Sequence, residues 1–370
     1  MSNTFITVKE IARQVLPRLI SNLVFPNLIH KDYSQEFVTG KGATIQVKKP
    51  VILTANDFDE NAGVTAQGVT EQSVEVTLDK LATVDVEFGA IQRAVNVDDL
   101  NRLFLEPAAI ALAEKINSDG LFLYKDIPYT CGVAGTTPDA LTDLSDVRLA
   151  LNTNKVPVLG RIAVWDPNAD AKFTTIDAIV NAEKSGTTQA LREGSIGRIF
   201  SLDNFMSQDV KAHATGITTA TTLKVNGAVL AGATKLAIDG TALVGKFVKG
   251  DIITISAKNY TVTEDSAAAA ANAIAEVKVY PALPAIADDT AVTLVANHTA
   301  NLAFNPNAFA FVTRPLSAPA GVEAYVTSYN GVTLRVVRGY DMKYKKEMLS
   351  MDVLYGYKTM YPELAVRALG

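Results

Sequence analysis

Between Ile199 and Thr313 the sequence has no arginine at all, although both flanks carry it freely. Cys131 is the only cysteine, so no intrachain disulfide can form, and a reducing, cytosolic site of synthesis is the simplest reading. No stretch approaches the ~20 uninterrupted apolar residues of a membrane span. The first ten residues lack the basic-then-apolar order of a secretory signal. With 34 basic against 39 acidic residues, the net charge of -5 lacks the basic excess of a dedicated nucleic-acid binder.

Chemistry-bearing patterns are also missing. His30, His213 and His298 are far apart in sequence and follow no metal-ligand spacing, so each reads as a surface or linker residue. Cys131, in a turn-like setting beside Gly132, has neither a base nor an orienting partner legible nearby, as a nucleophile needs. Asp98-Asp99 and Asp288-Asp289 are adjacent carboxylates that point apart, and helix-start and turn roles account for them. Gly40-Lys41-Gly42 lacks the remaining glycines and the terminal Lys-Ser/Thr of a phosphate loop. The expectation is a non-enzyme with no catalytic residue, no cofactor and no metal.

What is present is a core and a change of texture. A 370-residue chain that is 48% hydrophobic suits two or three domains, or one large body with an insert. Residues 7–28 open as an amphipathic helix: Val8, Ile11, Ala12, Val15, Leu16 and Leu19 recur at helical spacing. Thr7 and Glu10 have the spacing of a capping box, while Pro17 and Pro26 are expected to break the helix up. The pattern suits both a packing helix and an arm that docks on a neighbouring molecule.

Residues 37–88 read as a long two-armed β element. Val74, Val76 and Leu78, then Val84, Val86 and Phe88, face one way along the second arm. The arms are joined by an acidic tip holding Asp57, Phe58, Asp59 and Glu60. A hairpin standing alone is only marginally stable in water, so it either joins a sheet or is covered from outside. Residues 98–126 read as helix, with Pro107 opening a second segment. Residues 128–200 mix helices with an apolar strand at 161–165.

Residues 213–301 carry about six short strands with turn signals at roughly 8–12-residue spacing, the mark of a small barrel or sandwich. Asn226-Gly227 is a strong turn signal among them. Beyond the insert, two alternating runs flank Asn330-Gly331 as a hairpin, another strand covers 347–357, and Pro362 is expected to open a short helix to Leu369. Strands on both sides of the insert imply that the flanks share a sheet.

This order of elements resembles the major capsid (coat) proteins of tailed bacteriophages, with the HK97-like fold, and among them the phage P22-like coat proteins that carry an inserted β-barrel. The resemblance rests on the amphipathic arm, the long hairpin and Phe104-Leu105-Glu106-Pro107-Ala108-Ala109. It rests also on Asp203-Asn204-Phe205-Met206-Ser207-Gln208 before the insert and Asn301-Leu302-Ala303-Phe304-Asn305-Pro306-Asn307-Ala308-Phe309 after it. It implies an α+β fold in which residues 1–212 and 302–370 form the capsid body. Within that body, 1–30 would be the N-terminal arm, 37–88 the extended loop and 107–125 the spine helix. Residues 213–301 would be the insertion domain.

The resemblance further implies self-assembly through hexamers and pentamers into an icosahedral virion shell that encloses double-stranded DNA, with no membrane partner. Synthesis would take place in the bacterial host cytoplasm. A portal is implied, and, since Met1 stands almost directly before the arm, a separate scaffolding protein. A tail-tube, adhesion or decoration subunit is the alternative. Candidate assembly contacts are Glu10, Asp57, Phe58, Asp59, Glu60, Asn226 and Gly227. The family's long acidic loop on the insertion domain is reduced here to residues 227–232, which contain no acidic residue.

Overall fold

The computed structural model describes residues 8–31, 44–48, 73–89, 105–186, 188–342 and 346–370. Thr7, the phosphate-loop echo at Gly40-Lys41-Gly42, the tip residues Asp57, Phe58, Asp59 and Glu60, and the Asp98-Asp99 pair lie outside them.

Helix α1 (Val8–Asn22) buries the stripe read from the sequence: Val8, Ile11, Ala12, Val15, Leu16 and Leu19. It packs within its own subunit, against α2 (Glu106–Leu121) and the strands Glu323–Tyr329 and Val332–Asp341. Pro17 does not break α1, contrary to expectation. It sits on the exposed face, where solvent can satisfy the carbonyl that its missing N–H leaves free, and the buried stripe on the other side holds the helix together. Helix α2 buries Ala108, Ala109, Leu112, Ala113 and Ile116, with Pro107 in its first turn. Gly120 is there for close approach: a Cβ would lie 2.5 Å from the Phe25 ring. A 3-10 turn, Phe122–Asp126, follows α2 directly.

One sheet has seven strands, ordered Thr130–Gly132, Ala365–Leu369, His298–Phe304, Arg161–Trp165, Leu202–Met206 and Arg198–Ile199, with Ala212–His213 paired to the start of His298–Phe304. The flanks of the insert therefore do share a sheet. The expected C-terminal helix is a correction: Pro362–Leu364 is one 3-10 turn, and Ala365–Leu369 is a fully buried strand. Its run of small and branched apolar residues is buried on both faces, between the α2 core and the core beneath α3 (Leu141–Thr153). Cys131 likewise lies in a strand, parallel to Ala365–Leu369, rather than in a turn.

The second sheet is built on Lys346–Thr359, which pairs with Phe309–Thr313, Val332–Asp341 and Lys80–Gly89. Asn330-Gly331 closes the predicted hairpin from Glu323–Tyr329 to Val332–Asp341, with both residues at positive φ. The second arm of the long β element is split at Leu78-Asp79. Ser73–Thr77 pairs with Thr44–Lys48 as the root of a hairpin, whereas Lys80–Gly89 joins the sheet. The sheet reading therefore holds for Lys80–Gly89, and the hairpin root is packed through Val47, Val76 and Leu78 against Ala310, Val312 and Met360 of the same chain.

The insert is a closed antiparallel barrel ordered Thr222–Val225, Lys235–Thr241, Ala273–Tyr280, Lys258–Val262, Ile252–Ile255 and Ala291–Leu294, which returns to the first strand. Val225, Ile238, Phe247, Ile253, Ile255, Val262, Val277 and Val279 fill it. Closure leaves no unpaired edge. Asn226-Gly227 is not a tight two-residue turn but opens a nine-residue connection, 226–234. Asp288 accepts from the Gly227 N–H at 2.7 Å and Val229 bridges Ile286, so this connection is tied sideways.

Candidate functional site at the joint between barrel and body

The chain enters the barrel after Ala212–His213 and leaves it at His298–Phe304. These two passes form an antiparallel pair in which His213 stands opposite His298. Neither histidine is a surface or linker residue, as the sequence led us to expect: both are only 3% exposed. They belong to a buried polar cluster that takes one or more side chains from each element meeting there. The half-buried His30 is a separate matter; its backbone bridges Ala310 inside the body.

From the body, the 3-10 turn after α2 supplies Tyr124 and the strand Ala365–Leu369 supplies Arg367. From the barrel, the turn before Ile252–Ile255 supplies Asp251 and the carbonyl of Gly250. The Asp251 carboxylate accepts from His213 Nε2 at 2.8 Å and, through its other oxygen, from the Val248 N–H at 2.8 Å. That fixes the His213 tautomer, so Nδ1 accepts from the Tyr124 hydroxyl at 3.0 Å. His298 Nδ1 donates to the Ala296 carbonyl at 2.8 Å, leaving Nε2 as the acceptor facing Arg367 Nη1 at 3.4 Å.

Arg367 is the hub. Its buried guanidinium donates to the carbonyls of Gly250 (2.9 Å), Tyr124 (2.5 Å) and Ile127 (3.2 Å), and stacks over the Tyr124 ring at 4.9 Å. One side chain thus ties the barrel to the 3-10 turn after α2. Burial lowers its pKa to about 10. Burial also pushes His298 down to about 4, with the Arg367 charge acting the same way and the Ala296 bond and the Asp251 charge opposing it. Burial pushes Tyr124 up.

The rim adds direct contacts between the two units. Thr261 donates to the Lys125 carbonyl at 2.8 Å, Asn259 to Thr130 at 2.6 Å, and Lys249 pairs with Asp126 at 2.8 Å. Gly250 has φ +98°, and a Cβ there would lie 2.9 Å from Lys125 Cβ, so only glycine lets the barrel turn sit against Lys125. Beside the joint, a cleft of about 1000 Å³ is lined by Tyr129, Cys131, Leu149, Tyr260 and Leu283. Burial, with Asp146 and Asp143, pushes the Cys131 thiol up to about 12, the opposite of what an activated nucleophile requires. Among the described residues, no group of three or more His, Cys, Asp and Glu side chains is placed to hold a metal ion.

Of the sequence-predicted contacts, the three among the described residues fall elsewhere. Glu10 is exposed in the first turn of α1, and Asn226 and Gly227 are exposed on the barrel. The joint was missed because its members come from positions 124, 213, 251, 298 and 367, and only the strand pairing of the folded chain brings them together.

No protein-family model matches the sequence, and no curated protein matches it. Two solved structures share its architecture over most of their length. A structure from Mycobacterium phage Che8 is 15% identical with a TM-score of 0.56, covering 94% of this chain and 90% of that one. The capsid structure of the Cyanophage P-SCSP1u is 12% identical with a TM-score of 0.53, covering 94% and 88%. The chain has the HK97-like capsid fold, with a closed six-stranded barrel inserted between two strands of one sheet.

Proposed function

We propose that this chain is the major capsid protein of a tailed bacteriophage, which assembles through hexamers and pentamers into an icosahedral shell around double-stranded DNA. The observation that carries the reading is the match in fold to a cyanophage capsid over 94% of the chain. The residue chemistry agrees with it: the one cysteine is held protonated, and the buried polar cluster around Arg367 is spent on joining two structural units. A shell subunit needs rigid units that can take up more than one arrangement, and a fixed joint between barrel and body provides one.

In this reading residues 1–212 and 302–370 are the capsid body and 213–301 the insertion domain. Residues 1–30, 37–88 and 107–125 serve as arm, extended loop and spine. Glu10, Asp57, Phe58, Asp59, Glu60, Asn226 and Gly227 face neighbouring subunits. The role is structural rather than enzymatic. Synthesis occurs in the host cytoplasm, assembly uses a separate scaffolding protein and a portal, and the shell expands as DNA enters.

Electron microscopy of the protein co-expressed with its neighbouring phage genes tests this. Closed icosahedral particles are expected. Tubes would favour a tail subunit, and small discrete oligomers under assembly conditions would overturn the shell reading.

A further inference from the structure

We propose that the histidine pair His213–His298, with Arg367, forms an acid-releasable lock that holds the barrel in one orientation on the body. The argument begins with hydrogen-bond roles. His298 Nδ1 already donates to the Ala296 carbonyl, so Nε2 can accept from Arg367 only while the ring is neutral. A proton on Nε2 would set two donors face to face across 3.4 Å, with a fully buried guanidinium on the far side.

The groups that face His298 give that proton little relief. Arg367 is a cation, and His213 lies at a ring separation of 5.3 Å and already directs Nε2 at Asp251. Both Asp251 oxygens are engaged, one by His213 and one by the Val248 N–H. The Tyr124 hydroxyl is committed to His213. At the rim, Lys249 and Asp126 neutralise each other. The protonated ring is therefore best accommodated by opening the joint and letting water in, while both hydrophobic cores stay intact, because the barrel core and the core around α2 are separate clusters.

The sign follows from the lowered pKa. In the locked state His298 takes up its proton only near pH 4, whereas in the released state it does so near 6.5. The released state then binds more protons between those values, so the lock weakens as pH falls from about 6.5 to about 4 and changes no further below. A difference of that size shifts the locked-to-released ratio roughly 300-fold.

The test uses the unassembled full-length chain and does not depend on the shell reading. Spin labels at Lys235→Cys on the barrel and Lys172→Cys on the body report the distance between them, with the native Cys131, whose thiol is raised to about 12, left in place. One narrow distance is expected at pH 7.5, and a second, broader population is expected to grow down to pH 4 while circular dichroism stays native. His298→Gln, which keeps an acceptor towards Arg367 but does not titrate, is expected to abolish that growth. An unchanged distance down to pH 4, or a His298→Gln variant that opens as the wild type does, overturns the proposal. Should the variant not fold, histidine-selective ¹⁵N NMR of the wild type decides: titration of His298 from the Nδ1–H tautomer below 6.5, at the same pH at which the second distance population grows, supports the lock, and titration near 6.5 or without growth of that population overturns it.

Discussion

His213 and His298 stand directly opposite each other across the two strands by which the chain enters and leaves the barrel, with ring centroids 5.3 Å apart. Their 85-residue separation in sequence is closed by the barrel itself. Arg367 and Tyr124 of the body and Asp251 of the barrel meet at this crossing.

Arg367→Met removes three carbonyl bonds and keeps most of the side chain's bulk. Leaving the Gly250, Tyr124 and Ile127 carbonyls buried without their donor is expected to cost at least about 3 kcal/mol. Urea unfolding followed by Trp165, the only tryptophan and a body residue, measures the loss. A midpoint equal to wild type would show that the guanidinium contributes nothing net.

Gly250→Ala is expected to lose about 1–3 kcal/mol, because φ is +98° and the new methyl meets Lys125. Gly227→Ala is the control: its φ is +87°, but nothing lies within 4 Å of the added carbon, so only backbone strain of about 1 kcal/mol applies. Equal losses for the two variants would show that the contact with Lys125 is immaterial.

Asp119, on α2, gives stability a dependence on acid. Burial alone would raise its pKa, but the Tyr355 hydroxyl at 2.7 Å, Lys115 and Lys80 hold it below the usual carboxylate value. A depressed carboxylate contributes stability that is fully present above about pH 4 and is lost as pH falls through its folded value. Tyr355→Phe is expected to cost about 1.5–3 kcal/mol at pH 7 and less at an acid pH, as the carboxylate takes up its proton on passing through its depressed folded value. Denaturation curves at the two pH values make the comparison.

Cys131 is expected to resist alkylation. With its thiol raised to about 12, the thiolate fraction at pH 8 is roughly 10³-fold below that of an ordinary exposed cysteine. Mass spectrometry after iodoacetamide treatment should find it unmodified under native conditions and modified in urea. Rapid native labelling would contradict the raised thiol.

Much of the fold was legible because it is local. The α1 stripe from Val8 to Leu19, the hairpin at Asn330-Gly331 and the strand at Arg161–Trp165 follow from periodicity and turn chemistry over a few residues. Where local signals misled, a long-range contact decided. The expected helix at the C-terminus is drawn into the sheet by pairing with His298–Phe304 and Thr130–Gly132. Asn226-Gly227 is held open by Asp288, 61 residues beyond Gly227.

The arginine-free window thus told of an inserted β unit and its approximate extent, both from composition and pattern along the chain. Nothing along the chain marked His213, Asp251, His298, Arg367 and Tyr124 as one site. Their partnership depends on register and on a barrel closing over 73 residues between Thr222 and Leu294. Burial then decided their chemistry, because a histidine beside an arginine has an ordinary pKa in water and a lowered one only where the fold excludes solvent.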